Sequence, residues 1–407
     1  MVDGHSHRIL TINSGSSSIK FALYRMERVA TAELSGNIAG ISRGSGTVHI
    51  KDGQGKTLFE RHFQPQDHSE ALKEIIKWLQ SNPSAQHIDA VGHRLVHGGS
   101  RFSRPHLITP DLMEVLDELM PLAPDHLPHE INAIKVFKGS YPDVPQVACF
   151  DTAFHRNMPR VAQIYALPGD LRQQGVLRYG FHGLSYEYIL GELRNVAGVE
   201  ASENRIVVAH LGNGASMVAV KAGQSLDTTM GFSPAGGLVM GTRSGDLDPG
   251  VILYLFKEKA LDVPAVNRMV NKDGGLLGVS GISPDMKDLL DAEAINQHAA
   301  EAVELFSYQA KKFLGALTAV LGGLDTLIFT GGIGENAPPI RWRICEGLEF
   351  LGIRLSKDRN DRNDPLISLE RNPVAVRVMK TNEELMIARH TCQLLLKGAT
   401  AERDQGF

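Results

Sequence analysis

Cysteine is scarce in this chain, and Cys149, Cys345 and Cys392 stand far apart among its 407 residues. Three widely spaced cysteines argue against a disulfide framework and against a cysteine-based zinc site. They are typical of a reducing compartment, so we expect a cytoplasmic protein. The sixteen histidines are scattered, without an HExxH motif. No apolar run approaches the roughly 20 residues of a membrane-spanning helix, and the start of the chain lacks a signal-peptide pattern.

A dominant charge of one sign is also missing. The chain has 42 basic and 46 acidic residues, mixed along its length, and a net charge of −4. It therefore has no basic footprint for nucleic acid or for an anionic membrane, and we expect neither as a partner. The content of 43% hydrophobic and 22% charged residues is ordinary for a globular protein. The length is too great for one core, which predicts two domains.

Two stretches predict the same unit, a strand, a turn of small residues and a returning strand. The first is RILTINSGSSSIKFALY at 8–24, and the second is RIVVAHLGNGASMVAVKAG at 205–223. The two stretches align when Gly15 is set over Gly212. We interpret them as an internal duplication, in which each half of the chain opens with a hairpin.

Helices and a further hairpin are predicted between and after these stretches. A turn of DGQG at 52–55 indicates a hairpin. Apolar periodicity predicts helices over about 69–81 and 298–321. The tail reads as one amphipathic helix, and Thr381 and Glu384 have the spacing of a capping box at its start.

Loops of Gly and small hydroxyl residues turn several backbone N–H groups toward a ligand, most often a phosphate. The chain has no GxxxxGK[ST] motif, and a strand follows the first loop where a P-loop requires a helix. Two hairpin tips closing on a phosphate chain are instead the arrangement of the actin, hexokinase and heat-shock chaperone ATPases. The alternative for either hairpin alone is a plain surface turn. A third loop, FTGGIGEN at 329–336, ends a buried strand and opens a helix, whose N-terminus favours negative charge.

Four polar residues stand at the ends of strand-like runs: Arg94, Asp151, His182 and Arg243. An arginine among glycines has little to pack against, so it is suited to present its planar fork to a carboxylate or a phosphate. The alternatives are a salt-bridged surface arginine, a structural acid paired with an arginine, and a satisfied core histidine.

Nine motifs occur in the order and approximate spacing of the acetate kinase family, which includes the propionate and butyrate kinases. They are INSGSSSIKF, GHRLVHGG, FDTAFH, RYGFHG, HLGNGAS, MGTRSGDLDPG, GVSGIS, FTGGIGEN and TNEELMIAR. The chain resembles this family from about residue 8 to residue 395.

The resemblance implies an α/β fold of two duplicated actin-like (ribonuclease H-like) domains, with mixed sheets flanked by helices and an active-site cleft between them. The expected domains are residues 1–150 with 385–407, and residues 151–384. The second is expected to bind the nucleotide and to form a homodimer. The implied reaction is reversible in-line transfer of the γ-phosphoryl group of ATP to acetate, giving ADP and an acyl phosphate. It uses Mg²⁺, for which Mn²⁺ can substitute. Propionate, butyrate or a more polar carboxylate are the alternative substrates.

The family's functional residues carry over motif by motif. The catalytic positions are Arg94, Asp151, His182 and Arg243, and the metal positions are Asn13 and Glu383. The substrate positions are Arg94, Val96, Phe181, Pro234 and Asp125, with His126 nearby. The nucleotide and phosphate positions are Ser16, Ser18, Lys20, His210, Leu211, Gly212, Asn213, Gly214, Asp285, Met286, Lys287, Gly332, Ile333, Gly334, Glu335 and Asn336. A carboxylate is already ionised at pH 7, so this reaction needs charge stabilisation rather than a base. We therefore expect Asp151 to orient an arginine or a metal-bound water.

The chain departs from the family pattern at several positions. Asp125 stands where the family has a leucine that lines the acyl pocket, and SPAGG replaces the family's TPLEG before Arg243. An acid beside a bound carboxylate repels it unless a cation or hydroxyl intervenes. Either Asp125 turns away and acetate remains the substrate, or the substrate is larger or more polar. Met286 and Lys287 stand beside the expected adenine site, where Lys lacks the stacking plane of the usual Arg.

Two other classes of protein share the nucleotide hairpins. An ATP-regulated binding module of the actin or chaperone kind does not need two arginines and a histidine together. A sugar kinase needs an acid aimed at a hydroxyl, and Asp151 could serve, but the paired arginines would then have no purpose.

Overall fold

The computed structural model describes residues 6–15, 18–41 and 46–404, with side chains up to residue 396. The chain divides into two compact units, Met1–Ala153 with Asn382–Phe407, and Phe154–Thr381. Each unit is built on its own mixed sheet. None of the described helices has both the length and the apolar composition that a bilayer crossing requires.

The sheet of the first unit has the strand order β5-β4-β3-β2-β1-β6-β8-β7. Neighbouring strands from β5 to β1 are antiparallel, whereas β1, β6 and β8 run parallel. The strands are β1 (His7–Ser14), β2 (Ser18–Met26), β3 (Thr31–Ala39), β4 (Gly46–Asp52), β5 (Thr57–Phe63), β6 (Ala90–Leu95), β7 (His106–Leu107) and β8 (Gln146–Phe150). The predicted hairpin at 52–55 is confirmed as the β4–β5 turn.

Three helices follow within this part of the chain: α1 (His68–Ser81), α2 (Pro110–Leu119) and α3 (Leu127–Ser140). The helix predicted over 69–81 is confirmed as α1. It begins where the Asp67 side chain accepts the N–H of Glu70 at 2.8 Å, and its apolar stripe joins the core formed by β1–β4. Short 3₁₀ turns stand at Pro83–Ala85, Met120–Leu122, Ala153–His155 and Glu349–Leu351.

The sheet of the second unit has the strand order β11-β10-β9-β12-β13. Its strands are β9 (Ile206–Leu211), β10 (Ala215–Lys221), β11 (Gln224–Thr228), β12 (Thr326–Thr330) and β13 (Ala375–Val378). Every residue of β9 and β12 is buried, as expected for central strands covered on both faces.

The helices of the second unit vary widely in length. They are α4 (Arg160–Gln163), α5 (Gly169–Gln173), α6 (Gly183–Glu203), α7 (Pro249–Lys257), α8 (Val263–Asn271), α9 (Gly275–Ser280), α10 (Met286–Ala292), α11 (Gln297–Leu321), α12 (Gly331–Asn336), α13 (Pro338–Cys345) and α14 (Lys357–Asp361). The helix predicted over 298–321 is confirmed as α11. It ends at Gly322 in the left-handed region, with φ 72°.

The two sheets share a topology, which confirms the predicted duplication. In both, an antiparallel three-strand meander is followed by two parallel strands, so β3-β2-β1-β6-β8 matches β11-β10-β9-β12-β13. The sheet of each unit starts with the predicted hairpin, β1–β2 and β9–β10, although α4, α5 and α6 precede the hairpin in the second unit.

The tail helix α15 (Glu383–Asp404) returns to the first unit. The capping box predicted at Thr381 and Glu384 is wrong, because Asn382 occupies the cap. Its Oδ1 accepts the N–H of Leu385 at 2.9 Å, while the Thr381 hydroxyl hydrogen-bonds to Ser185 Oγ at 2.8 Å. Thr and Asn are both favoured at an N-cap. Because the Thr381 side chain is bonded to Ser185, Asn382 takes the cap.

Candidate active site

Three predicted residues of the first unit lie at the carboxyl ends of its parallel strands. Asn13 is near the end of β1, Arg94 near the end of β6, and Asp151 directly follows β8. The register sets Ile12 beside His93 and Arg94 beside Cys149, so the three strands end level with one another. This edge is where open α/β sheets bind ligands.

Arg94 and Asp151 form a buried ion pair. Arg94 Nε donates to Asp151 Oδ2 at 3.0 Å, and Nη2 donates to the same oxygen. The side chain of Asp151 is fully buried, whereas that of Arg94 keeps 13% of its surface exposed. Burial opposes the charge of Arg94, but the carboxylates of Asp151, Glu383 and Glu130 outweigh it and raise the pKa above its ordinary value. Arg94 is therefore a fixed cation with an exposed portion.

Asn13 and Glu383 lie beside this pair. Asn13 Nδ2 donates to Glu383 Oε2 at 3.3 Å, and that oxygen is 4.0 Å from Arg94 Nε. Burial raises the pKa of Glu383 to about 7. The described residues contain no group of three His, Cys, Asp or Glu side chains able to hold a metal alone. Amide and carboxylate oxygens nevertheless suit Mg²⁺, which takes one or two protein ligands and completes its shell with water and phosphate oxygens.

The Ser-rich loop closes the β1–β2 hairpin. Gly15 N–H donates to the carbonyl of Ser18 at 2.8 Å, and the carbonyl of Gly15 accepts from His68 Nε2 at 2.8 Å. Lys20 pairs with Asn13 across the hairpin, so both side chains project from the same face of the sheet. Ser16 lies outside the described residues.

His182 is held in an unusual conformation at the start of α6. Its φ of 59° lies in the left-handed region, which costs a non-glycine residue roughly 1–2 kcal/mol and is enriched at functional sites. Its Nδ1 lies 2.9 Å from Ser216 Oγ, and its ring stacks on His210 with centroids 4.2 Å apart. His210 is in turn hydrogen-bonded through Nδ1 to Ser185 Oγ at 2.8 Å.

His182 and Arg243 converge on the tip of the β9–β10 hairpin. A Cβ built on Gly214 would lie 3.5 Å from His182 Nε2 and 3.6 Å from Arg243 Nη1. Arg243 Nη1 also donates to the carbonyl of Pro234 at 3.3 Å. His182 Nε2 and Arg243 Nη1 therefore lie on either side of the space that a side chain at position 214 would fill. Because Gly214 has no side chain, an anionic group can bind in that space.

The third predicted loop approaches the same hairpin. Gly331 has φ 77°, and a Cβ there would lie 2.8 Å from the carbonyl oxygen of Leu211, so glycine is required. A Cβ on Gly212 would lie 3.7 Å from the backbone nitrogen of Gly332. Glu335 Oε1 accepts the N–H groups of Gly331 at 3.0 Å and Thr381 at 3.2 Å. The segment Gly331–Asn336 is thus anchored beside the hairpin tip.

Comparisons with known proteins identify the family. Residues 8–389 match the model of the Acetokinase family. An acetate kinase of Rhodopseudomonas palustris is 46% identical over 391 residues, which cover 95% of this chain and 98% of that protein. The chain belongs to the Acetokinase family. The predicted membership is confirmed, and with it the enzyme class, a phosphotransferase whose acceptor is a carboxyl group. Membership implies a nucleotide and a divalent metal ion as cofactors.

Solved structures of Acetokinase-family proteins confirm the predicted fold class. The crystal structure of Porphyromonas gingivalis acetate kinase is similar with a TM-score of 0.85 and 37% identity, covering 96% of this chain and all of that one. A propionate kinase from Francisella tularensis is similar with a TM-score of 0.88 and 36% identity, covering 94% and 98% of the two chains.

The other predicted positions differ in their exposure to solvent. Met286 is 4% exposed, whereas Asp285 and Lys287 are exposed, and Asp285 caps α10 by accepting the N–H of Lys287 at 2.8 Å. Phe181 is buried and Pro234 is half-buried. Asp125 is half-buried in the turn before α3. Its effect on the acyl pocket stays a prediction.

Two buried charges were missed by reasoning from the sequence. Glu130 lies on the apolar face of α3 and its side chain is fully buried. Arg341 is fully buried in α13 and donates to the carbonyls of Gly334 at 2.9 Å and Glu335 at 3.1 Å. The only sequence signal for Glu130 is its place in the stripe Leu127, Glu130, Ile131, Ile134.

Proposed function

We propose that this protein transfers the γ-phosphoryl group of ATP to acetate, reversibly, producing ADP and acetyl phosphate. The convergence of His182 Nε2 and Arg243 Nη1 on Gly214 is the observation that carries the proposal. It provides two hydrogen-bond donors where a transferring phosphoryl group needs its equatorial oxygens stabilised. The relatives named acetate kinase support the choice of acceptor.

Arg94 binds the carboxylate of the substrate. Asp151 takes its Nε and Nη2 donors, and Nη1 donates to Asn13 Oδ1 at 3.4 Å. The 13% of the side chain that stays exposed is the part that faces the substrate. Because acetate is ionised at neutral pH, Asp151 acts by orienting Arg94 and not as a general base. Its Oδ1 is buried and has no hydrogen-bond partner among the described residues, which suits a water molecule on a metal ion.

His182 donates through Nε2 to the phosphoryl group. In the tautomer that carries its proton on Nε2, Nδ1 accepts from the Ser216 hydroxyl, 2.9 Å away. Tyr186 contacts Ser216 Oγ as well and can donate to it. The chain Tyr186, Ser216, His182 therefore fixes the tautomer that phosphoryl stabilisation requires.

Asn13 and Glu383 would hold Mg²⁺, for which Mn²⁺ can substitute. When bound, the ion neutralises charge on the phosphates. The nucleotide binds at the segments 210–214, 285–287 and 332–336. The phosphate groups of the nucleotide are bound by Ser16, Ser18 and Lys20.

Acetate is favoured over longer acids because Val96 is buried, 2% exposed, and supplies a rigid apolar wall. Propionate, butyrate or a more polar acid remain the alternatives, because Asp125 replaces the leucine of the family pattern. A propionate kinase stands among the similar structures.

The protein acts as a homodimer, with α7 in the interface. The sequence of α7 is PGVILYLFK, yet this helix buries none of its residues, and Leu253 and Tyr254 are 54% and 50% exposed. Apolar faces of this kind mark association sites. We further propose that the actin-like domains comprise 1–150 with 385–407, and 151–384, and that the protein works in the cytoplasm, where ATP is abundant and thiols stay reduced.

Hydroxylamine trapping tests the function. Purified protein is incubated with ATP, Mg²⁺ and acetate, propionate, butyrate or a hydroxy acid, and the hydroxamate is measured. We expect the highest kcat/KM with acetate, and greatly reduced product with Arg243→Ala. ATP binding without any hydroxamate would instead support a binding module, and phosphorylation of a sugar would support a sugar kinase.

A further inference from the structure

Glu130 is a buried acid that the proposed reaction does not use directly. It lies in the first turn of α3, on the face that also carries Leu127, Ile131 and Ile134, and its side chain is fully buried. Burying a carboxyl group is costly unless it is partnered. The contacts that hold Glu130 therefore indicate what it does.

Glu130 approaches two groups of the proposed substrate site, the backbone of Val96 and the guanidinium of Arg94. Glu130 Oε2 accepts the backbone N–H of Val96 at 3.0 Å. Glu130 Oε1 lies 4.0 Å from Arg94 Nη1 and accepts no hydrogen bond from the described residues. Val96 is the first residue beyond β6, and the register of β6 with β8 ends at Leu95. Glu130 thus provides the hydrogen-bond partner that the sheet no longer supplies.

Arg94 is near the end of β6 and Val96 is the first residue after it, so the two lie two residues apart along the chain. Arg94 binds the carboxylate and Val96 forms part of the acyl wall. The first acyl carbon is bonded directly to the carboxylate carbon. The distance between the Arg94 guanidinium and the Val96 side chain therefore limits how many carbon atoms the acyl chain of the substrate can have.

We propose that Glu130 is a positioning residue that fixes the distance between the Val96 backbone and the Arg94 guanidinium. It thereby sets the affinity of the site for the carboxylate and the preferred length of its acyl chain. The inference rests on the proposed function and names a specificity determinant of that site. Burial raises the pKa of Glu130 to about 8, with Arg94 and the Val96 hydrogen bond opposing this rise and Asp151 reinforcing it.

Two substitutions separate positioning from bulk packing. Glu130→Gln keeps the shape and an oxygen that can accept the Val96 N–H, so we expect the KM for acetate to stay within about threefold of wild type. Glu130→Leu removes the acceptor, so we expect that KM to rise about tenfold, the effect of one buried hydrogen bond. The KM for ATP should remain within about twofold, and the ratio of kcat/KM for propionate over acetate should rise.

Asn132→Ala provides the matched control on the same helix. It removes hydrogen bonds to Ser69 and should lower the melting temperature without changing the KM for acetate. An unchanged KM for acetate in an active Glu130→Leu protein overturns the inference. If Glu130→Leu does not fold, Glu130→Asp decides, because its shorter side chain cannot reach Val96, and an unchanged KM there has the same meaning. Absence of hydroxamate from the wild type refutes the proposed function instead.

Discussion

Arg341 offers a quantitative test of how the nucleotide segment is held. Its guanidinium is fully buried and donates to the carbonyls of Gly334, Glu335 and Asn360 and to the Asn360 and Asn363 side chains, at 2.6–3.1 Å. Burial lowers its pKa to about 10, so it remains charged at neutral pH. Replacing it with methionine keeps an unbranched apolar stem but removes all five hydrogen bonds.

The expected cost follows from the acceptors left behind. Each buried acceptor without a partner costs about 1–3 kcal/mol, and removing one member of a buried charged network typically costs about 3–5 kcal/mol in total. For a domain of roughly this size, each 1 kcal/mol lowers the melting temperature by about 2–4 °C. We therefore expect Arg341→Met to melt about 6–20 °C below wild type. Because the carbonyls belong to the 332–336 segment, the KM for ATP should rise about tenfold.

A neighbouring arginine on α13 provides the control. Arg343 pairs with Glu293 at 2.8 Å, but its side chain is 36% exposed, and exposed pairs contribute about 0–1 kcal/mol. Differential scanning fluorimetry and ATP titration of Arg341→Met and Arg343→Met compare the two directly. If Arg341→Met melts within about 2 °C of wild type with an unchanged KM for ATP, the assigned role of Arg341 is wrong.

Four further predictions concern the site. Arg243→Ala should lower kcat by roughly 10³, and steady-state kinetics giving a kcat within threefold of wild type would refute its role. Gly214→Ala should melt like wild type, since its Cβ meets neighbours at ordinary contact distances of 3.5 and 3.6 Å, but should lose about 10² in activity by filling the phosphoryl position; full activity would contradict this. Asp125→Leu should lower the KM for acetate if the carboxylate repels the substrate, and an unchanged KM shows that Asp125 turns away. Burial raises the pKa of Glu130 from 4.5 to about 8, so the native state binds more protons between these values and stability falls as pH rises. Urea unfolding at about pH 5.5 and 8.5 should show a steeper loss of stability for wild type than for Glu130→Gln, by up to about 1.4 kcal/mol for each pH unit crossed between the two pKa values, whereas equal slopes contradict the assignment.

Local chemistry was sufficient to predict the hairpins. The β1–β2 and β9–β10 units combine apolar strands with turns of small residues, signals that lie within about 20 residues of chain. The duplication could be predicted because the same strand, turn and strand pattern occurs twice, at 8–24 and at 205–223. The α15 cap was missed because Thr381 and Asn382 are both suitable caps, and only the tertiary contact of Thr381 with Ser185 separates them.

The burial of Glu130 and Arg341 could not be predicted from the sequence. Glu and Arg are almost never fully buried unless paired, so Glu130 and Arg341 read as surface residues. Their burial depends on partners far along the chain: Val96 lies 34 residues before Glu130, and Asn360 lies 19 residues after Arg341. Such partners are known only once the strands and helices are packed.

The most direct test of the account follows the oxygen atoms. Acetate labelled with ¹⁸O in both carboxylate positions is incubated with the protein, ATP and Mg²⁺, and the product is cleaved by hydroxylamine, which attacks the carbonyl carbon and releases phosphate. If a carboxylate oxygen attacks the γ-phosphorus, the released phosphate carries one ¹⁸O, detected by mass spectrometry. Released phosphate without ¹⁸O would contradict the central claim, because the C–O–P oxygen would then not originate from the carboxylate.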